Sequence, residues 1–265
     1  MVHLTHIGRH GRLNLTFSNE RGRTVIQEGY YEVPFKVTRL HDSSSCGISH
    51  LILMHCTAGV FGGDVLESTV QVESGARVLI TQQSSTKVHP AGNKCALQRN
   101  RIRVKAGGEL HICNDPIIPF AGSRLDQVIS IELEHSSRFY FWESFMAGRI
   151  GSGEIWQFDE FSSETSLRVF GQLLHLDRFR LMPKQKSLTT DWIMSDARYL
   201  ATGLCFDERA ENLADRLHES MPCAGVDTPA PGLTVVRVVS TDGPDFHLQR
   251  LSFFKTTLGE NPRQT

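Results

Sequence analysis

Histidine is the side chain whose number and spacing in this sequence come nearest to a metal site. The candidates fall into two groups, His3, His6 and His10 near the N-terminus, and His50, His55 and Cys56 further on. Imidazole suits Ni(II). Neither group has the spacing of an HExxH helix, a CxxC pair or a zinc finger. The spacing therefore predicts no high-affinity metal site, but leaves open a stand-alone nickel-binding protein that uses the N-terminal histidines.

Enzymatic motifs are absent from the sequence. There is no GxxxxGK[ST] loop and no GxGxxG after a strand, and we interpret the nearest stretch, Gly148–Gly153, as a turn. No GxSxG elbow occurs either. We therefore expect a protein without catalysis, and a hydrolase whose triad is assembled from distant residues remains a second alternative.

The densest group of polar residues lies in the middle of the chain. It consists of GGD (Gly62–Asp64), TQQSSTK (Thr81–Lys87), NDPIIPFAGSR (Asn114–Arg124), WES (Trp142–Ser144) and GR (Gly148–Arg149). Lys87 and Arg149 are the expected ionic partners of Asp64 and Glu143. Two interpretations stay open: a set of buried, satisfied ion pairs, or a polar, water-holding passage lined by hydroxyls and carboxylates.

Composition and charge exclude several classes of partner. The chain has 265 residues, 28 basic and 29 acidic, with a formal net charge of −1, so neither nucleic acid nor a membrane surface is an expected partner. No apolar run approaches a membrane span, and Met1–Gly11 lacks the apolar region of a secretory signal. None of the six cysteines forms a CxxC pair. We expect a cytoplasmic protein with free thiols.

Strands must position these polar residues, because period-two alternation dominates the chain. Apolar and polar residues alternate in Leu66–Glu73, Arg99–Lys105 and Val128–Glu134 and around Leu13, Leu15 and Phe17, and Leu233–Val239 is also predicted as a strand. Three joints between strands look alike and recur about every thirty residues. They are Val72–Ile80, Val104–Ile112 and Leu133–Phe141. We interpret them as a loose repeat of β-hairpin units.

Two segments near the C-terminus predict helices. Asp207–Met221 begins with a residue suited to an N-cap and carries Leu213, Leu217 and Met221 at helical spacing. The second helix is predicted at about Asp245–Leu258, with Phe246, Leu251, Phe254 and Leu258 on or near one stripe. No long Pro/Gly/Ser linker interrupts the chain, so we predict one domain, residues 1–265, with a mainly β fold.

The central blocks resemble the UreD/UreH family of urease accessory proteins. The matching blocks are AGVFGGDVL (58–66), SGA (74–76), TQQSSTKV (81–88), DPIIPFAGSR (115–124), FWESFMAGR (141–149) and GEIWQF (153–158). Their order and spacing agree with the family from about Leu13 to the C-terminal region, which includes GLTVVRVV. So many short blocks in one order form a far more specific signal than any single block.

The resemblance implies a two-layered, hairpin-rich β fold with about two helices near the C-terminus. It implies a non-enzymatic metallochaperone scaffold that assembles with UreF and the GTPase UreG on the urease apoprotein, with a dimer of such heterocomplexes as one form of the assembly. No cofactor would be tightly bound, and Ni(II) would be in transit. By motif position, the residues that would line a nickel passage or form its polar network are Asp64, Thr86, Lys87, Glu143 and Arg149.

Overall fold

The structure is a computed structural model that describes residues 10–42, 47–90 and 92–259. The strands, numbered in chain order, are β1 (His10–Glu20), β2 (Arg23–Tyr31), β3 (Phe35–Val37), β4 (His41–Asp42), β5 (Ser49–His55), β6 (Val60–Phe61), β7 (Val65–Val72), β8 (Arg77–Gln82), β9 (Thr86–His89), β10 (Ala96–Val104), β11 (Glu109–Cys113), β12 (Ile117–Pro119), β13 (Arg124–Leu133), β14 (Arg138–Met146), β15 (Glu160–Val169), β16 (Gln172–Leu181), β17 (Tyr199–Asp207), β18 (Gly225–Ala230) and β19 (Leu233–Ser240). The helices are α1 (Leu213–Ser220) and α2 (Gly243–Leu258).

These strands form two sheets. The first sheet has the order β16-β15-β13-β10-β7-β1-β2. The main path of the second is β18-β19-β17-β14-β11-β8-β5-β3, and β4, β6, β9 and β12 attach beside it. A large apolar cluster draws its buried side chains from both sheets, which places the main core between them. The predicted mainly β, two-layered fold with helices near the C-terminus is confirmed.

The strand predictions hold because the alternation reports which face of each strand is buried. In β13, Leu125, Ile129 and Ile131 are buried, whereas Ser130 and Glu132 between or beside them are not. Successive side chains of a strand point to opposite faces of the sheet, so the apolar set faces the core. The turn predicted at Gly148–Gly153 contains one short 3₁₀ helix, Ile150–Ser152.

The hairpin interpretation of the three similar joints is wrong. Each joint carries the chain from the first sheet to the second, from β7 to β8, from β10 to β11 and from β13 to β14. The strands that these joints link are parallel to their neighbours in the stack: β7, β10 and β13 pair in register in the first sheet, and β8, β11 and β14 pair in register in the second. The joints are therefore arches of a solenoid-like stack of coils. Alternation cannot distinguish an arch from a hairpin, because both need a short polar turn between two half-buried strands.

Hairpins do occur at the margins of the stack. Antiparallel pairs join β1 to β2, β15 to β16 and β18 to β19. Both ends of the first sheet are thus closed by an antiparallel strand, which leaves β16 and β2 as its outer edges.

The first predicted helix is shorter than the sequence indicated. It spans Leu213–Ser220, and Asn212, in a left-handed conformation, precedes it. Asp207 instead ends β17, where its carboxylate accepts hydrogen bonds from the Tyr140 hydroxyl at 2.8 Å and the Arg209 amide at 2.9 Å. Pairing of β17 with β14 and β19 extends the strand to this point and overrides the capping signal.

The second helix agrees closely with its prediction. Its N-cap is Asp242, whose carboxylate accepts from the Asp245 amide at 3.0 Å, and it ends before Gly259. The predicted apolar stripe was partly wrong, because Leu251 is 40% exposed while Phe253 is fully buried. Both helices cover the outer face of the second sheet, where Trp142 and Phe253 pack with ring centroids 5.1 Å apart. Neither helix in the described residues is long and apolar enough to cross a membrane.

The close approach of α2 to β17 depends on Gly203. A Cβ atom at this position would lie 2.6 Å from the buried ring of Phe253. We predict that Gly203→Ala lowers the free energy of unfolding by about 1–3 kcal/mol, because an overpacked core must shift. Urea denaturation would measure this, with Gly151→Ala as the control, since nothing lies within 4 Å of a Cβ there. Equal urea midpoints for the two variants would contradict this account of the packing.

Candidate functional site

The inner face of the first sheet carries a row of four polar side chains with one apolar residue, Ile129, among them. Ser68, Asn100, Ile129, Thr165 and Asp177 are partners in successive strand pairs from β7 to β16. Since paired residues of neighbouring strands point to the same side, the row runs across the sheet within the core. We call it the first polar row. The Ser68 hydroxyl donates to the Asn100 side-chain oxygen at 2.6 Å.

The second sheet carries a shorter row at its corresponding end. Glu143 of β14 is paired with Thr202 of β17, and Thr202 is paired with Arg237 of β19. We call these three residues the second polar row. Two contacts connect it to the first sheet: Gln127 donates to Glu143, and Arg237 Nη1 donates to Asp177 Oδ2 at 2.7 Å.

Two cavities lie between the sheets along these rows. The inner cavity has a volume of about 90 Å³ and extends from β1 and β5 to β14. The outer cavity has a volume of about 270 Å³ and extends from β14 to β16 and β19. Both are lined by Ile117, Phe141, Glu143 and Ser144, so they adjoin at Glu143.

Carboxylate, amide and hydroxyl side chains provide most of the polar lining of both cavities. The inner cavity is bordered by Ser68, Gln82, Thr86, Gln98, Asn100, Asn114, Asp115, Gln127, Glu143 and Ser144. The outer cavity is bordered by Glu143, Ser144, Ser163, Thr165, Asp177, Thr202 and Arg237. The rest of each lining is largely apolar, with one histidine, His55, on the inner cavity.

Two of the lining polar atoms lack a protein partner. Gln82 Oε1 and Gln127 Oε1 are buried and accept no hydrogen bond among the described residues. A buried polar atom without a partner is unfavourable by about 1–3 kcal/mol, so such atoms normally face water or an ion. Both residues border the inner cavity, which makes it a place suited to water or to a hydrated cation.

Glu143 is the ionisable group at the junction of the cavities. Burial raises the pKa of its carboxyl from 4.5 to about 7, the hydrogen bond from Gln127 opposes this, and the charge of Asp177 adds to it. No basic side chain forms an ion pair with Glu143 in the part of the chain that the structure describes. Near neutral pH this carboxyl can therefore exchange a proton for a cation.

Two of the predicted residues, Thr86 and Glu143, border a cavity. Thr86 is buried and borders the inner cavity. Lys87 follows it on β9 and is exposed, because neighbouring residues of a strand point to opposite faces. The expectation that Lys87 or Arg149 would pair with Glu143 is wrong, since Glu143 contacts Gln127 instead.

Asp64 and Arg149 lie away from both cavities. Asp64 Oδ2 accepts a hydrogen bond from the Phe61 amide at 2.8 Å, so the carboxylate closes its own glycine turn. Gly63 supplies the left-handed backbone of that turn, with φ at 94°. Arg149 pairs with Glu154, and its guanidinium lies 4.4 Å from the ring centre of Phe120. Their roles in a passage stay predictions.

Several lining residues went unrecognised in the sequence. Asp177 and Arg237 come from β16 and β19, far from the central polar blocks, and their meeting depends on how the sheets face each other. The signal that could have found them is a charged residue at an inward position of an alternating strand. Asp115 was within a noted block, and it both borders the inner cavity and pairs with Arg250 of α2.

Strong metal-binding groups are lacking among the described residues. No cluster of three or more histidine, cysteine, aspartate or glutamate side chains is placed to hold an ion there. Burial raises the pKa of the Cys113 thiol to about 12 and that of Cys95 to about 11, so both are poor sources of thiolate. His3 and His6, on which the alternative nickel site depends, lie outside the described residues.

Comparison with known proteins gives one consistent result. A family model described as UreD urease accessory protein matches residues 9–253. The chain is similar to the urease accessory protein UreD of Acetivibrio thermocellus, with 33% identity over 68% of this chain and 69% of that protein. It is also similar to the proteins of that name from Deinococcus radiodurans (31% identity, 84% and 78%) and Sorangium cellulosum (30%, 96% and 84%).

The raised pKa of Glu143 predicts a pH-dependent stability. Because the folded pKa, about 7, exceeds the ordinary value of 4.5, this carboxyl favours folding most below pH 4.5 and loses that contribution as pH rises through 7. Glu143→Gln should therefore gain stability relative to the parent between pH 5 and pH 8. One pKa unit corresponds to about 1.4 kcal/mol, so the gain approaches an upper limit of about 3 kcal/mol above pH 7.

Urea denaturation at pH 5 and pH 8 measures this difference. Glu164→Gln, a change of the same type on the outer face of the first sheet, controls for loss of a surface carboxylate. A Glu143→Gln variant whose stability relative to the parent is the same at both pH values would show that the carboxyl is not shifted.

Proposed function

Because the chain belongs to the UreD family of urease accessory proteins, we propose that it is a non-enzymatic scaffold through which nickel reaches urease. The observation that carries the proposal is the pair of adjoining cavities between the sheets, with Glu143 bordering both. A passage for a cation needs polar groups along its length, and the two polar rows supply them on facing sides of the core.

The ligands suit transit better than storage. Carboxylate, amide and hydroxyl oxygens bind Ni(II) less firmly than imidazole or thiolate ligands do, so the ion can move from one group to the next. The cysteines nearest the core, Cys113 and Cys205, have pKa values raised by burial and stay protonated. An ion in the cavities would therefore meet oxygen atoms, with His55 at the far end of the inner cavity.

The proposed assembly contains UreF, the GTPase UreG and the urease apoprotein, with no cofactor resident in this chain. A dimer of such heterocomplexes is part of the same proposal. We place it in the cytoplasm, and the five described cysteines, all unpaired, fit a reducing compartment. Thr86 and Glu143 would line the passage, and Asp64, Lys87 and Arg149 would act from the surrounding loops and surface.

Glu143 provides the test of a passage inside the protein. Glu143→Gln keeps the size of the side chain and an acceptor for Gln127 but cannot carry a negative charge. We expect urease activation at limiting nickel to fall about tenfold with this variant, the effect of losing roughly 1.4 kcal/mol of cation stabilisation. Urease activity and nickel content would be measured in cells that co-express the urease and accessory genes.

The matched control is Glu164→Gln, which should activate urease fully. Co-purification of UreF and UreG with both variants would separate passage from assembly. Full activation by Glu143→Gln would refute passage past this residue, and loss of the partners would assign it a structural role instead. Deletion of the whole gene tests the accessory function itself, since fully nickel-loaded urease in such cells would contradict it.

A further inference from the structure

The outer cavity approaches the protein surface between the strands β16 and β19. Val239, which borders the cavity on β19, is 55% exposed. The side chains of Asp177 and Arg237 are 25% and 46% exposed. Since Glu143 at the other end of the outer cavity is enclosed between the sheets, Asp177 and Arg237 mark the outward end of the cavity.

Arg237 connects the two sheets at this outward end of the cavity. Its Nη1 atom donates to Asp177 Oδ2 at 2.7 Å and to Thr202 Oγ1 at 2.5 Å. Asp177 belongs to the first sheet, whereas Arg237 and Thr202 belong to the second. Among the ion pairs between strands in the described residues, the others join partners within one sheet, such as Arg178 and Glu164. The Arg237–Asp177 pair thus spans this end of the cavity.

The guanidinium of Arg237 occupies the place through which a cation leaving the outer cavity would pass. Glu143, Thr202 and Arg237 follow one another in the second polar row, so the guanidinium stands at the end of the same line of oxygen atoms. Asp177 is close enough to Glu143 for its charge to act on that carboxyl. A cation between the two carboxylates would be attracted by both, and at Asp177 it would meet a carboxylate already neutralised by Arg237.

We propose that Arg237 is a displaceable counter-cation that closes the outward end of the outer cavity, and that a divalent cation opens this end by taking Asp177 from it. The proposal rests on passage of nickel through the cavities. The step is an exchange of ligands: Asp177 gains an ion of charge two and releases a guanidinium of charge one. Arg237 keeps its proton, and its exposed part turns to water or stays on Thr202.

If Arg237 competes with Ni²⁺ for Asp177, removing the guanidinium should raise the affinity for nickel. A purely structural ion pair predicts no such increase. Arg237→Gln removes the competitor and leaves Asp177 in place, so the full-length chain should bind Ni²⁺ about fivefold more tightly, the order expected for a half-exposed ion pair. Asp177→Asn should bind Ni²⁺ more weakly than the parent. Equilibrium dialysis against nickel chloride measures both, and background binding by histidines is common to all variants.

The matched control is Arg178→Gln. Arg178 lies on the same strand as Asp177, and this change breaks its surface ion pair with Glu164. Its nickel affinity should equal that of the parent. Arg237→Lys, which keeps a cation but loses the planar fork, should give a smaller increase and serves if the glutamine variant does not fold. Unchanged or weaker nickel binding by folded Arg237 variants would overturn the proposal, while leaving the Glu143 test of passage standing.

Closure of the cavity has a readout that needs no metal. Thr165 borders the outer cavity and is the strand partner of Asp177. In a Thr165→Cys protein, we expect Arg237→Gln to raise the rate of modification at position 165 by a cationic methanethiosulfonate reagent about fivefold. Peptide mass spectrometry distinguishes this site from the native cysteines. An equal rate in the Arg237→Gln and Arg178→Gln backgrounds would show that Arg237 does not close the outward end of the cavity.

Discussion

In-register pairing of strands gives every inward side chain of this protein the same neighbours: the residues at equal height on the strands beside it. β7, β10, β13 and β15 are parallel and in register, and so are β8, β11 and β14. A polar residue at one height on one strand therefore adds to a row across the whole sheet. The cavities, the shifted carboxyl of Glu143 and the outward end at Asp177 all follow from where two such rows face each other.

The same constraint explains why the core tolerates so much polarity. Apolar side chains form rows of their own beside the polar rows. Ile80, Ile112 and Phe141, which are register partners on β8, β11 and β14, are one such row, and they keep the two sheets packed together. Polar side chains in the rows bond first to one another, as Ser68 does to Asn100, or across to the facing sheet, as Gln127 does to Glu143. Two of the atoms that remain unsatisfied, Gln82 Oε1 and Gln127 Oε1, belong to residues that border the inner cavity.

Sequence reasoning succeeded where local pattern decides the outcome and failed where tertiary pairing does. Alternation identified the strands around Val70, Ile102 and Ile131 and their buried faces, because a strand's period is local. It could not show that the arch after Val72 changes sheets, since parallel and antiparallel neighbours produce the same alternation. For the site, Thr86 and Glu143 were found within recognisable blocks, whereas Asp177 and Arg237 were missed because about sixty residues separate them. Lys87 was grouped with Thr86 although adjacent residues of a strand face opposite ways.

The arches also make the space between the sheets modular. Each coil contributes one strand to each sheet, and neighbouring strands lie about 4.8 Å apart. Adding or removing a coil between β7 and β13 would lengthen or shorten the interior by about that step. The groups at its ends, His55 on β5 and Asp177 on β16, would keep their surroundings. The length of the interior and the chemistry of the groups at its two ends are thus separable in this architecture. Evolution or design can vary one of them while the other is held constant.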